Sequence, residues 1–313
     1  MASRRDRSPT ALRPLALSQG LLSRADGSAQ FSFGDVAVLG SVTGPAEVRI
    51  RDELVDRATL EVNVRPLRGQ GGPGIKAIEA TLTSLLTPLL LLHLYPRALL
   101  QLTLQTVSSP STAFSLPTTT DPLLHSDSDS DSNPMKKGKG KGKARGVATG
   151  AGERAATINA AMLAFVDAGV QCRGMLVAVA VAYLPRPPPP DAKEEEGEEE
   201  MVLDPTPEEE ELATSTHVFA FSFGVGVGGT EGTCVGIDST GTFSEDQLFD
   251  AQDFAQTAAQ TVLAFIRKSI ETKYGAEAGP APTVTRPIGA TADEKEDEDE
   301  DEDEDDDKVM IDA

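Results

Sequence analysis

Few residues of this chain are of a type and spacing that could do chemistry. Arg65, Arg68 and Lys76 surround a Gly/Pro-rich stretch, residues 66–74 (PLRGQGGPG). Cations beside such a loop can hold phosphate oxygens, and they can equally be ordinary surface charges. The run Gly69-Gln70-Gly71-Gly72-Pro73-Gly74 is no nucleotide loop. A P-loop needs a Lys-Ser/Thr pair opening a helix, a dinucleotide site needs its glycines inside a βαβ unit, and Pro73 removes an amide that a phosphate would use. Ser126, Ser128 and Ser130 each precede an aspartate. That is the context an acid-directed kinase reads, and each phosphorylation adds about −1.5 to −2 of charge. His217 is a lone histidine without a metal partner or phosphate site, which favours a structural role over acid–base work. His93 lies in an apolar run and reads as a core histidine. Cys172 and Cys234 are too far apart for a CxxC site and read as small buried hydrophobes. No metal, cofactor or catalytic residue is expected from these patterns.

The elements that must position these residues follow from periodicity. Asp26-Gly27 and Gly34-Asp35 are turn signals, the first expected to use the positive φ that glycine allows, and residues 36–39 form an apolar strand that Pro45 should end. Leu60, Val62 and Val64 alternate with polar residues, as in a half-buried strand. Ile75, Ile78, Leu82, Leu85, Leu86 and Leu89 form a helical stripe that Pro88 should kink or end. The run 89–94 should be buried, and 98–107 is a strand. A helix over 155–168 ends at Gly169, and 174–183 is a fully buried strand. Strands follow at 216–227 and 234–237, turning at 228–232. Ser244 caps a last helix whose core face carries Leu248, Phe249, Phe254, Ala258, Val262, Phe265, Ile266 and Ile270. The order predicts one α/β (α+β) domain with mixed sheets packed against helices, spanning 13–275.

Charge is concentrated. Residues 191–211 carry a net −11 and residues 293–308 a net −12, against −22 for the whole chain, so everything else nets +1. The low pI therefore describes appendages and says little about the body. Residues 108–153, with a Ser-Asp run and then a Lys-Gly run, and residues 185–213 are expected as disordered insertions. Residues 1–12 are expected as a mobile basic arm and 276–313 as a disordered acidic tail. The longest apolar run, 85–94, is far short of the roughly 20 residues that span a bilayer. With no signal peptide, a soluble protein in a reduced compartment is predicted, with no membrane partner. The chain has no Trp and three Tyr, which argues against an aromatic platform for single-stranded RNA.

Arg13-Pro14, Gly20, Ala25-Asp26-Gly27-Ser28-Ala29, Gly34-Asp35 and Gly44-Pro45 together resemble the N-terminal signature of the RNase PH family. Tyr95-Pro96-Arg97 resembles the same family, and Asn159-Ala160-Ala161 and Asp167-Ala168-Gly169 resemble the branch that forms the non-catalytic ring subunits of the eukaryotic RNA exosome. The resemblance implies an RNase PH-like fold related to the second domain of ribosomal protein S5. Active members cleave RNA from its 3′ end with inorganic phosphate, using arginines and an aspartate pair. Here the arginine-bearing helix segment reads Leu85-Leu86-Thr87-Pro88-Leu89. The Asp-Gly-Gly-Thr-Arg segment is replaced by Ser108-Ser109-Pro110 and the insertion. The strand of the aspartate pair reads Ala213-Thr214-Ser215-Thr216-His217-Val218-Phe219.

The resemblance thus implies a structural, non-enzymatic ring subunit in the nucleus, nucleolus and cytoplasm. Its implied partners are other RNase PH-like ring subunits, RNA-binding cap subunits, a separate catalytic exoribonuclease and RNA. Arg65, Arg68 and Lys76 would touch RNA phosphates along the channel. Two other readings stand beside it: an active phosphate-dependent 3′–5′ exoribonuclease, and an acidic-tailed scaffold protein unrelated to the exosome.

Overall fold

The structure, a computed structural model, describes residues 7–67, 71–110, 149–185 and 199–277. Arg68, Ser126, Ser128 and Ser130 lie outside the described residues, as do residues 111–148 of the first expected insertion, 186–198 of the second and 278–313 of the acidic tail. Residues Met1–Ile270 form one compact unit, and Glu271–Ala313 form a second, described only as the end of the last helix.

The first sheet is built from β1 (Leu15–Gln19), β2 (Gly27–Phe33), β3 (Val36–Glu47), β4 (Thr59–Arg65) and β5 (Ala98–Ser108), in the order β1-β2-β3-β5-β4. Its one parallel pair, β4 with β5, is the pair joined through a helix, α1 (Pro73–Leu86). Parallel neighbours need such a crossover, whereas β1, β2 and β3, antiparallel and consecutive, turn directly. Between Phe33 and Val36, paired across the hairpin, Gly34 has φ +54°, so that turn needs its glycine. The second sheet is antiparallel, in the order β7-β6-β8-β9, with β6 (Met175–Pro185), β7 (Glu199–Leu203), β8 (Ser215–Gly224) and β9 (Gly229–Gly241).

Helix α2 (Ala151–Asp167) packs on β2 and β3 from one side and on β6 and β8 from the other. Thirteen of its 17 residues are buried, so it carries no polar face. Alanines let the strands come close, and two strand glycines complete the fit. A Cβ on Gly27 would lie 2.2 Å from Ala168 N, and one on Gly40 would lie 2.9 Å from Ala160 O. The buried carboxamide of Asn159 accepts from Ala178 N at 2.7 Å and donates to Ala178 O at 2.9 Å. It covers the β6 edge where β7, paired only from Val181 onward, no longer reaches. Two further helices complete the fold, α3 (Pro207–Leu212) and α4 (Glu245–Glu277). Ser244 and Gln247 cap α4 reciprocally, side chain to backbone, at 3.2 and 2.7 Å.

Several expectations need correction. Gly27 lacks the positive φ expected of its turn; it is needed for the approach of α2. Asp26 accepts from Gly44 N at 2.8 Å, which ties the start of β2 to β3 and leaves the expected turn role without a bond within the turn. β3 runs past Pro45 to Glu47, by an irregularity between Thr43 and Ala46 in its pairing with β5. The expected mobile arm is docked from Arg7 onward. Leu203 N donates to Pro9 O, and Arg7 donates to Asp204 O at 2.8 Å.

The expected insertion 185–213 contains folded structure, since Met201-Val202-Leu203 extends the second sheet and Thr206 and Glu209 form a capping box for α3. Asp204 and Glu209, assigned to an acidic appendage by charge, are buried. The insertion after β5 ends before Ala151, where α2 begins four residues earlier than its apolar pattern suggested. His93 and Leu94 are exposed, because a 3-10 turn over Leu92–Leu94 buries only Leu92. The second turn of the second sheet lies at 225–228, with positive φ at Gly226 and Gly228. Of the expected face of α4, Ala258, Val262 and Ile266 are buried, whereas Phe249 is 55% exposed because the buried stripe runs through Ala251, Ala255 and Ala259.

Candidate nucleic-acid interface

Arg65 and Lys76, the candidate residues that the structure describes, lie near the C-terminal ends of β4 and β5. Arg65 closes β4 in register with Gln105, whose amide donates to Pro66 O at 3.2 Å and so holds the start of the Gly/Pro loop. Glu79 of α1 accepts from Val64 N at 2.9 Å and fastens the helix to the same strand end. Arg65 and Lys76 are therefore both placed beside that loop. Both are exposed, with no carboxylate within 4.0 Å among the described residues. Such a pair can meet phosphates from solvent, which carries affinity and no sequence information.

One residue beyond Gln105, the hydroxyl of Thr106 donates to Glu153 at 2.7 Å, and Ser109 donates to the other oxygen at 3.1 Å. These bonds bring the start of α2 to the end of β5. That start reads Gly150-Ala151-Gly152-Glu153-Arg154, which resembles Asp-Gly-Gly-Thr-Arg in its third and fifth residues, on the far side of the insertion. Arg154 is thus the arginine that reading the sequence before the insertion overlooks; its spacing was the available signal.

The surroundings of Arg154 are acidic. Its guanidinium is paired with Asp238 of β9, while its Nε has no partner among the described residues. Glu210 accepts from Ala151 N at 3.0 Å and from Gly152 N at 2.8 Å, so a carboxylate of α3 already takes the amides at the α2 N-terminus. Burial pushes the Glu210 carboxyl up, and the two amides with Arg13 and Arg154 pull the other way. Asp238 is paired with this guanidinium, and Glu210 interacts with it electrostatically. Arg13 adds no free cation, since it is joined to Asp204 by contacts of 2.5 and 2.8 Å. A phosphate attacking an RNA phosphodiester needs net cationic compensation, and the carboxylates paired with Arg154 and Arg13 among the described residues oppose it.

The start of β8 holds Ser215 and His217, both buried. His217 Nε2 lies 3.1 Å from Ser215 Oγ and Nδ1 lies 2.8 Å from Ser239 Oγ. Tyr183, Phe219 and Phe243 enclose the ring, and desolvation lowers its pKa. The set superficially pairs a nucleophile with a base, but a fully enclosed ring cannot reach a substrate. The adjoining cavity, about 710 Å³, is lined by Glu199 and Asp250 and has no cationic lining residue among the described residues, a lining that disfavours RNA phosphate. At the remaining expected place, Leu85, Leu86 and Leu89 are buried, and a Cβ on Gly236 would lie 2.6 Å from Leu85 Cδ2. Cys172 and Cys234 are half-buried, and burial pushes the Cys172 thiol up to about 11. Among the described residues no group of three His, Cys, Asp or Glu could hold a metal ion, and no helix is long and apolar enough to cross a membrane.

Comparison with known proteins agrees with this geometry. Residues 11–171 match the 3′ exoribonuclease family, domain 1 (RNase PH), and residues 174–258 match domain 2 of the same family. The chain belongs to the RNase PH family. The two matches meet between Gln171 and Gly174, where the chain passes from the first sheet and α2 into the second sheet. Among RNase PH relatives, the exosome complex component RRP46 of Saccharomyces cerevisiae is 33% identical over 162 residues, 51% of this chain and 57% of that one. That of Schizosaccharomyces pombe is 38% identical over 93 residues, 30% of this chain and 41% of the relative. The exosome complex component Rrp41 of Thermococcus kodakarensis is 29% identical over 176 residues, 53% and 55% of the two chains. The chain spans about half the length of the curated relatives it matches. The crystal structure of rice (Oryza sativa) Rrp46 shares the RNase PH fold, with a TM-score of 0.63 at 24% identity over 85% of this chain and 99% of that one.

Proposed function

We propose that this chain is a non-catalytic structural subunit of the RNA exosome ring, supporting 3′-to-5′ processing and degradation of RNA, rRNA maturation included. The observation that carries the reading is the burial of Ser215 and His217 at the strand where the family's aspartate pair is expected. The pairing of Arg154 with Asp238 supports it. Relatives in yeast, fission yeast and archaea bear the name of exosome complex components, which supports the assembly. Its partners would be other RNase PH-like ring subunits, RNA-binding cap subunits, a separate catalytic exoribonuclease and RNA, in the nucleus, nucleolus and cytoplasm. Arg65, Arg68 and Lys76 would line the RNA channel.

The test is purification of the tagged full chain from its own cells. Stoichiometric recovery of RNase PH-like and cap subunits is expected, and their absence defeats the reading in favour of an unrelated scaffold. A second reading, an active exoribonuclease, draws on the plant relatives, which are named exosome complex exonuclease RRP46 homologues. Phosphorylation of Ser126, Ser128 and Ser130 also belongs to the proposal, and mass spectrometry that finds these serines unmodified in cells removes it.

A further inference from the structure

A second basic cluster lies past the other end of α1, remote in the fold from the strand ends that carry Arg65. A cavity of about 260 Å³ there is lined by Arg57, His93, Arg173, Asp56 and Thr87, with Leu90 and Leu92 among its apolar lining. Backbone bonds to one short segment, residues 89–92, hold the cationic strands of this cluster in place. Arg173 N donates to Leu89 O at 2.8 Å, Leu91 N to Gln171 O at 3.0 Å, and Ala58 N, next to Arg57, to Leu92 O at 3.0 Å. Leu90 also forms a bridge with Cys172. Three separate stretches of chain therefore meet with their basic residues facing one space.

Arg57, His93 and Arg173 are exposed and have no carboxylate within 4.0 Å among the described residues. Asp56 is the one carboxylate in the lining, and the Thr87 hydroxyl is engaged with Thr83 O at 2.6 Å. Donors from three stretches of chain suit a tetrahedral acceptor with several oxygens better than a planar carboxylate, which one guanidinium satisfies edge-on. The cluster also differs from the surroundings of Arg154, where acids outnumber the cation.

We propose that this cavity is a binding site for a phosphate oxyanion, supplied either as free inorganic phosphate or as a phosphodiester of a nucleic-acid backbone. Arg57 and Arg173 are the principal donors, His93 completes the set, and Asp56 weakens the site by opposing the anion's charge. The inference does not depend on assembly into a ring.

Isothermal titration of the purified full chain tests it, with inorganic phosphate in one arm and an eight-nucleotide oligouridine carrying hydroxyl ends in the other. Saturable binding is expected in at least one arm. The Arg57→Ala/Arg173→Ala variant should weaken it about tenfold or more, and Asp56→Asn should tighten it. Both sets of changes are at exposed side chains, and circular dichroism checks the fold. Loss confined to the phosphate arm assigns free phosphate, and loss in the oligonucleotide arm assigns the backbone. Absence of saturable binding in both arms overturns the proposal. So does affinity unmoved by the double variant, an Asp56→Asn variant that binds more weakly, or binding only of an acetylated pentaglutamate peptide.

Discussion

Both ring nitrogens of His217 are taken by serines, Ser215 Oγ at 3.1 Å and Ser239 Oγ at 2.8 Å, within one sheet and under the ring of Phe243. A serine hydroxyl can donate or accept, so a neutral imidazole is satisfied in either tautomer. The protonated ring would present two donors without a carboxylate to face. The histidine is therefore fixed as a neutral core group.

Stability against pH depends on this neutral state. The folded pKa of His217 is depressed by desolvation below the ordinary value of 6.5, so the unfolded chain binds its proton more readily. The stabilisation from this group is complete above about pH 6.5 and declines as pH falls below it. The melting temperature should drop between pH 7.5 and pH 5.5, and His217→Gln should flatten that part of the profile. Identical slopes in the two proteins would count against the assignment.

Asn159 should be among the least replaceable residues of the core. Its carboxamide meets both the N–H and the C=O of Ala178, so Asn159→Ala leaves two buried backbone groups without partners. Each such orphan costs about 1 to 3 kcal/mol, and denaturant unfolding should show a loss of about 2 to 6 kcal/mol in all. A loss below about 1 kcal/mol would mean that water replaces the amide.

For the channel residues the expected signature is electrostatic. Arg65→Ala and Lys76→Ala should each weaken RNA binding by the assembled complex to a similar degree whatever the RNA sequence. Removing one cation from a phosphate should also reduce the slope of log affinity against log salt by about 0.7. Unchanged salt slopes would return both residues to ordinary surface charge.

The fold was legible where pattern is local. The amphipathic stripe of α1, the continuous apolar run of β6 and the Ser244 cap all follow from short-range periodicity or spacing. What escaped depends on distant partners. The acidic stretch before β8 reads as solvated until Arg7 and Arg13 are brought to Asp204, almost two hundred residues away. The glycine at 27 looks like a turn residue because its helix neighbour, Ala168, lies far along the chain. The start of α2 was hidden because its cap, Glu210, comes from α3 and because a long insertion separates Arg154 from the strand it adjoins. The exposure of His93 follows from a single 3-10 turn that no apolar count reveals.

The central claim, a family framework without family chemistry, is tested most directly by phosphate-dependent release of nucleoside diphosphates from RNA. The assay uses the purified full chain alone and in complex with an RNase PH-like partner whose own activity has been removed. No release above background is the predicted result in both settings. Clear turnover that requires phosphate and disappears on replacing Arg154 or His217 would contradict the account.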